Sequence, residues 1–115
     1  MESDCEVHAI VQDRSRLRVL GSAEVNISAE LVLVAVGVEP NADIGRQAGL
    51  PTGVKGALRV NRRMETSIPG VYAAGDCVET WHRLLEDYSY LPLGTTSHKQ
   101  GRVAGENAVG GCREF

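Results

Sequence analysis

The residues Ala73-Ala74-Gly75-Asp76 end a short apolar run in the stretch SIPGVYAAGDC (67–77). A strand that runs into small residues leaves a groove at its carboxyl end, where open α/β sheets bind ligands. An aspartate there accepts hydrogen bonds from ligand hydroxyls, while backbone N–H groups reach phosphate or polyol oxygens. The same residues also describe an ordinary strand and turn in which Asp76 caps the next segment. On local physics both readings stand. A second group, Gly94-Thr95-Thr96-Ser97, leads into TTSHKQGRVAGENAVGG (95–111). This stretch reads as a helix, with Thr96 or Ser97 as N-cap, a small apolar stripe of Val103, Ala104 and Ala108, and Gly110-Gly111 as stop. A helix start carries about half a positive charge and free N–H donors, which suits an electron-rich ligand edge. Gly94 and Thr95 are small enough to let such a ligand approach. The plainer reading is a surface helix with a Thr/Ser cap, and Lys99 and Arg102 read as solvated charges.

The remaining reactive side chains form no constellation. Cys5, Cys77 and Cys112 are far apart and odd in number. That is neither a disulfide framework nor a zinc spacing, and it suits a reducing cytoplasm. Cys77 reads as a small buried residue rather than a nucleophile. Cys5 and Cys112 lack a neighbouring His-and-acid pattern to activate them. His82 lies beside Trp81 in an expected loop and His98 on the last helix, and neither is assigned chemistry. No catalytic residue and no metal ligand set is expected.

These groups need elements to hold them. The 115 residues suffice for one small domain, and 43% hydrophobic with 23% charged residues is ordinary for a globular chain. A net charge of -3 offers no basic field for nucleic acid. No apolar run approaches the ~20 residues that span a bilayer. The start, MESDCEVHAI, lacks the pattern of a secretion signal. Thirteen glycines against 4% aromatics suggest a scaffold whose backbone comes close to something. Strands are expected at 6–12, 16–21 and 23–28, an antiparallel meander in which Leu17, Val19, Val25 and Ile27 alternate with polar residues. The unbroken LVLVAVG (31–37) predicts a strand buried on both faces. Pro40-Asn41 ends it, and Asn41 or Asp43 can cap a short helix closing at Gly49. Strands are expected at 57–61 and 70–76, and residues 78–92 read as irregular or weakly helical.

TSIPGVYAAGDC (66–77) resembles the second flavin-contacting motif of the FAD- and NAD(P)-dependent pyridine nucleotide-disulfide oxidoreductases. LVLVAVGVEPNADI (31–44) resembles the segment where that family's chain leaves its NAD domain and returns to its FAD domain, passing near the nicotinamide. YLPLGTTSHKQGRVAGENAVGG (90–111) resembles the helix whose N-terminus points at the flavin pyrimidine ring, most like coenzyme A-disulfide reductases and NADH oxidases. The resemblance implies an FAD-dependent NAD(P)H oxidoreductase, passing a hydride from nicotinamide to flavin and on to a disulfide or oxygen. It places Asp76 on the ribityl chain, Gly75 at a close approach, Thr96 and Ser97 at the pyrimidine edge, and Gly37 and Val38 beside the nicotinamide. FAD is the implied cofactor and NAD(P)H the co-substrate.

The chain also departs from that family. No G-x-G-x-x-G follows a strand, so neither dinucleotide has its pyrophosphate cradle. The family's redox cysteine lies in an N-terminal FAD half with no counterpart here. The implied fold is a β-rich α/β one, a partial Rossmann-like FAD/NAD(P)-binding fold with an antiparallel meander. Residues 1–37 would close the NAD-binding domain and 38–115 would form the later part of the FAD-binding domain. The expectation is an internal piece of a longer enzyme, cytoplasmic, inactive alone, with weak or absent FAD binding. Uncovered apolar faces imply a homo-oligomer. Alternatives are a non-catalytic oligomerising unit, or half of a split enzyme completed by a separate chain with the first FAD-binding fold.

Overall fold

The computed structural model of the chain describes residues 4–115, in two compact units: one closes at Gly37, the other spans Val38–Phe115. The architecture is mixed α/β, rich in antiparallel pairing, as the sequence implies.

The first unit is a three-stranded antiparallel meander in the order β1-β2-β3, formed by Val7–Asp13, Arg16–Gly21 and Asn26–Ala29. β2 pairs on both sides and is half-buried along most of its length. β3 starts later than expected because Ala23 and Glu24 take positive φ in the preceding turn. Its register sets Val19 opposite both Ile10 and Ile27, so apolar side chains meet across the sheet. Exposed polar pairs edge it, Arg16 with Glu30 at 2.7 Å and Arg18 with Asn26 at 2.9 Å.

LVLVAVG is not the buried strand that its composition predicts. Residues 31–40 carry no strand pairing, and Leu31, Leu33, Val34 and Val36 are exposed. An apolar run becomes a buried strand only if neighbours supply ladder bonds and cover its faces. Among the described residues, none does so.

The second unit carries the core. Ala42, Leu50, Leu58, Val60, Met64, Val78, Val103 and Ala104 are buried together, with Tyr72, Ala73, Ala74, Cys77 and Phe115 packed against them. The short helix α1 (Asp43–Gln47) has Ala42 at its N-cap position with no side-chain cap bond, so neither Asn41 nor Asp43 serves as its cap. Asp43 instead sits in the first turn and pairs with Arg46. Gly49, at φ +81, turns the chain after the helix, and the Leu50 N–H returns to the Gly45 carbonyl at 2.9 Å. The strands expected at 57–61 and 70–76 shrink to isolated bridges, Leu58 with Thr52 and Val78, and Tyr72 with Glu65. Turns at both ends interrupt pairing before ladders grow.

Residues 78–92 contain a hairpin where irregular or helical chain was expected. β4 (Thr80–His82) pairs with β5 (Asp87–Ser89), and Trp81 meets Tyr88 edge-on with ring centroids 5.2 Å apart. Such a cross-strand aromatic pair contributes about 0.5–1.5 kcal/mol beyond burial. The last helix, α2, runs Gly94–Ala108, starting earlier than expected, with Leu93 at the N-cap position and no side-chain cap bond. Thr96 and Ser97 therefore lie inside its first turns rather than capping it. Ala108 is exposed, and the inward stripe is Gln100, Val103, Ala104 and Asn107. Among the described residues, no helix is long and apolar enough to cross a membrane.

Candidate functional site

The Gly75-Asp76 turn is prepared upstream. The Thr66 hydroxyl donates to the Val71 carbonyl at 2.9 Å and accepts from the Ile68 N–H at 3.2 Å, closing the turn that contains Pro69-Gly70. The chain then crosses the core with Ala73 N–H bonded to the Met64 carbonyl at 3.1 Å. Ala73 and Ala74 are small because they pack on that core. Gly75 has φ +90, a conformation that costs an L side chain roughly 1–2 kcal/mol. A Cβ added there would meet the Ser97 Cβ at 3.7 Å, ordinary contact. Glycine is thus required by backbone conformation, and the chain's own atoms leave room above it.

Asp76 is exposed at the tip. The Ser97 hydroxyl lies 2.5 Å from Asp76 Oδ1 and 3.1 Å from the Leu93 carbonyl, with its single proton to donate to either. The Tyr90 hydroxyl donates to the Asp76 carbonyl at 2.9 Å. Behind the turn, Gly75 N–H donates to Gln100 Oε1 at 2.9 Å, and Gln100 Nε2 donates to Thr80 Oγ1 at 2.7 Å. Gln100 is fully buried and Thr80 nearly so. The Gly75 amide is therefore engaged inward, which removes it from the backbone donors expected to reach a ligand.

The start of α2 supplies other donors. The Ser97 N–H makes the first intrahelical bond, to the Leu93 carbonyl at 2.9 Å. Helix geometry leaves the N–H groups of Gly94, Thr95 and Thr96 without intrahelical partners, and among the described residues no side chain caps them. Gly94 has open space where a Cβ would stand and no positive φ, so nothing among the described residues demands glycine there. An exposed carboxylate and a set of free N–H donors are thus joined through Ser97. This set suits a ligand carrying hydroxyls and an electron-rich edge.

Two groups beside the turn have displaced acidities. Burial raises the Cys77 thiol above its ordinary value, opposed by backbone hydrogen bonding at Cys77 and Ala74 and helped by the Asp76 charge; the thiol donates to the Ala74 carbonyl at 3.4 Å. The thiol stays protonated at neutral pH and is a poor nucleophile. Tyr90 is raised by desolvation, then by the charges of Asp76 and Cys77. Among the described residues, no three His, Cys, Asp or Glu side chains come together to hold a metal.

The structure brings Gly75, Asp76, Thr96 and Ser97 into one turn-and-helix arrangement. Gly37, at φ +89, ends the first unit and Val38 begins the second, both exposed. Among the described residues, no backbone hydrogen bond ties Val38 to the Asp76 turn. Gln100 and Thr80 escaped the sequence reading. The signal for Gln100 was its spacing, three residues from Ser97 and from Val103.

An exposed aspartate on a glycine turn is thus joined to a helix start within an α/β unit. The profile of the pyridine nucleotide-disulphide oxidoreductases matches residues 1–101, and the chain belongs to that family. It is 36% identical to the NAD(P)H sulfur oxidoreductase (CoA-dependent) of Pyrococcus furiosus, over 91% of this chain and 24% of that protein. It is 43% identical to an NADH oxidase of Methanocaldococcus jannaschii, over 70% of this chain and 18% of that one. Among solved structures, the NAD-dependent persulfide reductase of A. fulgidus superposes with a TM-score of 0.85 at 38% identity, over 96% of this chain and 20% of that one. An FAD-dependent pyridine nucleotide-disulphide oxidoreductase of Desulfovibrio vulgaris gives 0.84 at 35% identity, over 96% and 28%. The chain thus spans about a quarter or less of the length of the curated relatives it matches.

Proposed function

We propose that this chain supplies the ribityl and pyrimidine contacts of an FAD-dependent NAD(P)H oxidoreductase. Asp76 would hold ribityl hydroxyls, and the N–H groups opening α2, around Thr96 and Ser97, would face the pyrimidine edge. Bound FAD would supply the redox chemistry between NAD(P)H and a sulfur acceptor or oxygen. The chain's part is to bind and orient. The α2 start favours negative charge at the edge it faces, Gly75 keeps the turn low, and Ser97 holds the carboxylate. Gly37 and Val38 are assigned to the nicotinamide side on the resemblance alone. The observation that carries the reading is the Ser97–Asp76 hydrogen bond, which joins the two expected contact elements.

Relatives named for persulfide reduction, sulfur oxidoreduction and NADH oxidation support this class of chemistry. Without a pyrophosphate cradle, the chain by itself would bind FAD weakly. The exposed apolar run of Leu31, Leu33, Val34, Val36 and Val38 supports association with a second copy. The test is a chimera in which residues 38–115 replace the matching stretch of the Desulfovibrio vulgaris enzyme, named as FAD-dependent. Retention of stoichiometric flavin that is lost with Asp76→Ala supports the reading. Full occupancy in the Asp76→Ala chimera overturns it.

A further inference from the structure

The buried amide of Gln100 has no place in the reading above. It lies on α2 three residues beyond Ser97, fully buried. A glutamine side chain is flexible, and burying it is unfavourable unless both ends are bonded. Here its oxygen accepts the Gly75 N–H and its nitrogen donates to Thr80 Oγ1. It thereby joins three elements that are remote in sequence: the Gly-Asp turn, the first strand of the hairpin, and α2. Ser97 presents its hydroxyl to Asp76 on the same side of the helix. One helix face thus grips two successive residues of the turn, Gly75 through its backbone and Asp76 through its carboxylate.

The two grips differ in strength. The Ser97–Asp76 bond is exposed and competes with water, and Ser97 can turn its proton to the Leu93 carbonyl instead. The Gln100–Gly75 bond is shielded, so breaking it leaves polar groups without partners. The shielded bond is the one able to set the spacing.

We propose that Gln100 is the positioning residue of this site. It locks the Gly75-Asp76 turn to α2, so that the Asp76 carboxylate and the free N–H groups of α2 are held at one spacing. The link to flavin rests on the function proposed above, but the lock itself does not.

The test uses the isotopically labelled 115-residue chain and amide hydrogen exchange. Gln100→Met keeps volume but offers no acceptor. The Gly75 amide should then exchange about tenfold faster than any change in the slowest amides accounts for. Gln100→Glu retains an acceptor and should restore protection of Gly75. Asn107→Ala removes another buried amide from α2, bonded to the Arg63 and Arg113 backbones, and should change Gly75 only with the whole chain. Gly75 following the global change in Gln100→Met overturns the proposal. Should that variant fail to fold, Gln100→Glu decides: a protected Gly75 amide supports the lock and an unprotected one overturns it. FAD titrated into the same samples gives the second readout, amide shifts at Asp76 and Thr96. Gln100→Met should weaken that response about tenfold and Asn107→Ala should not. FAD without effect on the unaltered chain is the weak binding expected of this chain alone, and exchange at Gly75 then decides the role of Gln100.

Discussion

The Ser97 hydroxyl meets Asp76 Oδ1 across 21 residues of sequence, tying the first turns of α2 to the tip of the glycine turn. Ser97 is not a cap because the helix opens at Gly94, three residues before it, and its hydroxyl donates to the carboxylate instead. Asp76 in turn is oriented from outside its own loop.

In the chimera described above, Asp76→Ala removes a charge-assisted bond to a ribityl hydroxyl, worth about 1.5–3 kcal/mol. Flavin affinity should fall roughly ten- to hundredfold. Ser97→Ala leaves the carboxylate in place but unsteered, so its loss should be smaller, about two- to tenfold. Because Asp76 is exposed, neither change should lower stability by more than about 1 kcal/mol. Flavin absorbance after dialysis and thermal unfolding measure the two effects separately. Equal flavin occupancy in both variants and the parent chimera would refute the assignment.

Gly75→Ala and Gly75→Val probe a different cause. At φ +90, any Cβ strains the backbone, so Gly75→Ala should cost about 1–2 kcal/mol with no ligand present. Gly75→Val should cost more, because a branched side chain tolerates that region least. Flavin loss in the valine variant therefore does not by itself report a clash with cofactor. Denaturant midpoints of the isolated chain reveal the strain, and an Ala variant as stable as the parent would contradict it.

Glu79 shows a stronger steric dependence. Its carboxylate is nearly fully buried, accepts the Val54 N–H at 3.0 Å and pairs with Arg59 at 3.2 Å. A Cβ on Gly53 would clash with Glu79 Oε2. Gly53→Ala must therefore displace a buried, paired charge and should cost about 3 kcal/mol. In the double variant with Glu79→Ala the clash vanishes, so the combined loss should fall short of the sum by about 1–3 kcal/mol. Urea unfolding of the four proteins gives this coupling directly. Strict additivity would show that the loop moves away without disturbing Glu79.

The lowered acidities of Cys77 and Tyr90 in the folded chain set a pH dependence. In each case the unfolded chain loses its proton first, from ordinary values of 9.0 for the thiol and 10.0 for the phenol. Above those values the native state holds more protons than the unfolded state, so stability falls as pH rises. Their contribution is fully present below pH 9.0 and is lost as pH climbs through the raised native values. Denaturant unfolding from pH 7 to 11 should show this decline, reduced in Cys77→Ala and Tyr90→Phe. Alkylation at neutral pH should reach the exposed Cys112 well before the half-buried Cys77. Faster modification of Cys77 would mean that its thiol is accessible and ionised.

The meander is legible in the sequence because alternating Leu17 and Val19, then Val25 and Ile27, declare period two, and short turns leave little choice of partner. The glycine turn at Gly75-Asp76 and the last helix are legible by type and order, although the helix opens at Gly94 rather than at Thr96 or Ser97. The hairpin is hidden because Leu84-Leu85 beside charges imitates a helix. The cross-strand pairing of Trp81 and Tyr88 outweighs that local preference. Gln100 is hidden because an amide on a helix normally faces water, and only the groups it meets show that it is inside. LVLVAVG misleads for the opposite reason: composition announces burial, but burial depends on what covers the segment.

That segment carries the last prediction. Leu31, Leu33, Val34, Val36 and Val38 all stand exposed, and residues 31–37 have no strand partner among the described residues. Extended apolar backbone with open donors and acceptors is a template for pairing with another chain. Pairing with a second copy would bury these side chains at about 25 cal/mol per Å² of apolar surface and satisfy the open groups. The isolated chain should therefore run as a dimer or larger species by light scattering at micromolar concentration. Val34→Lys with Val36→Lys places charge on the expected contact and should shift it toward monomer without altering the core of the second unit. A monomeric parent at that concentration, or assembly indifferent to both lysines, would rule this segment out as the contact.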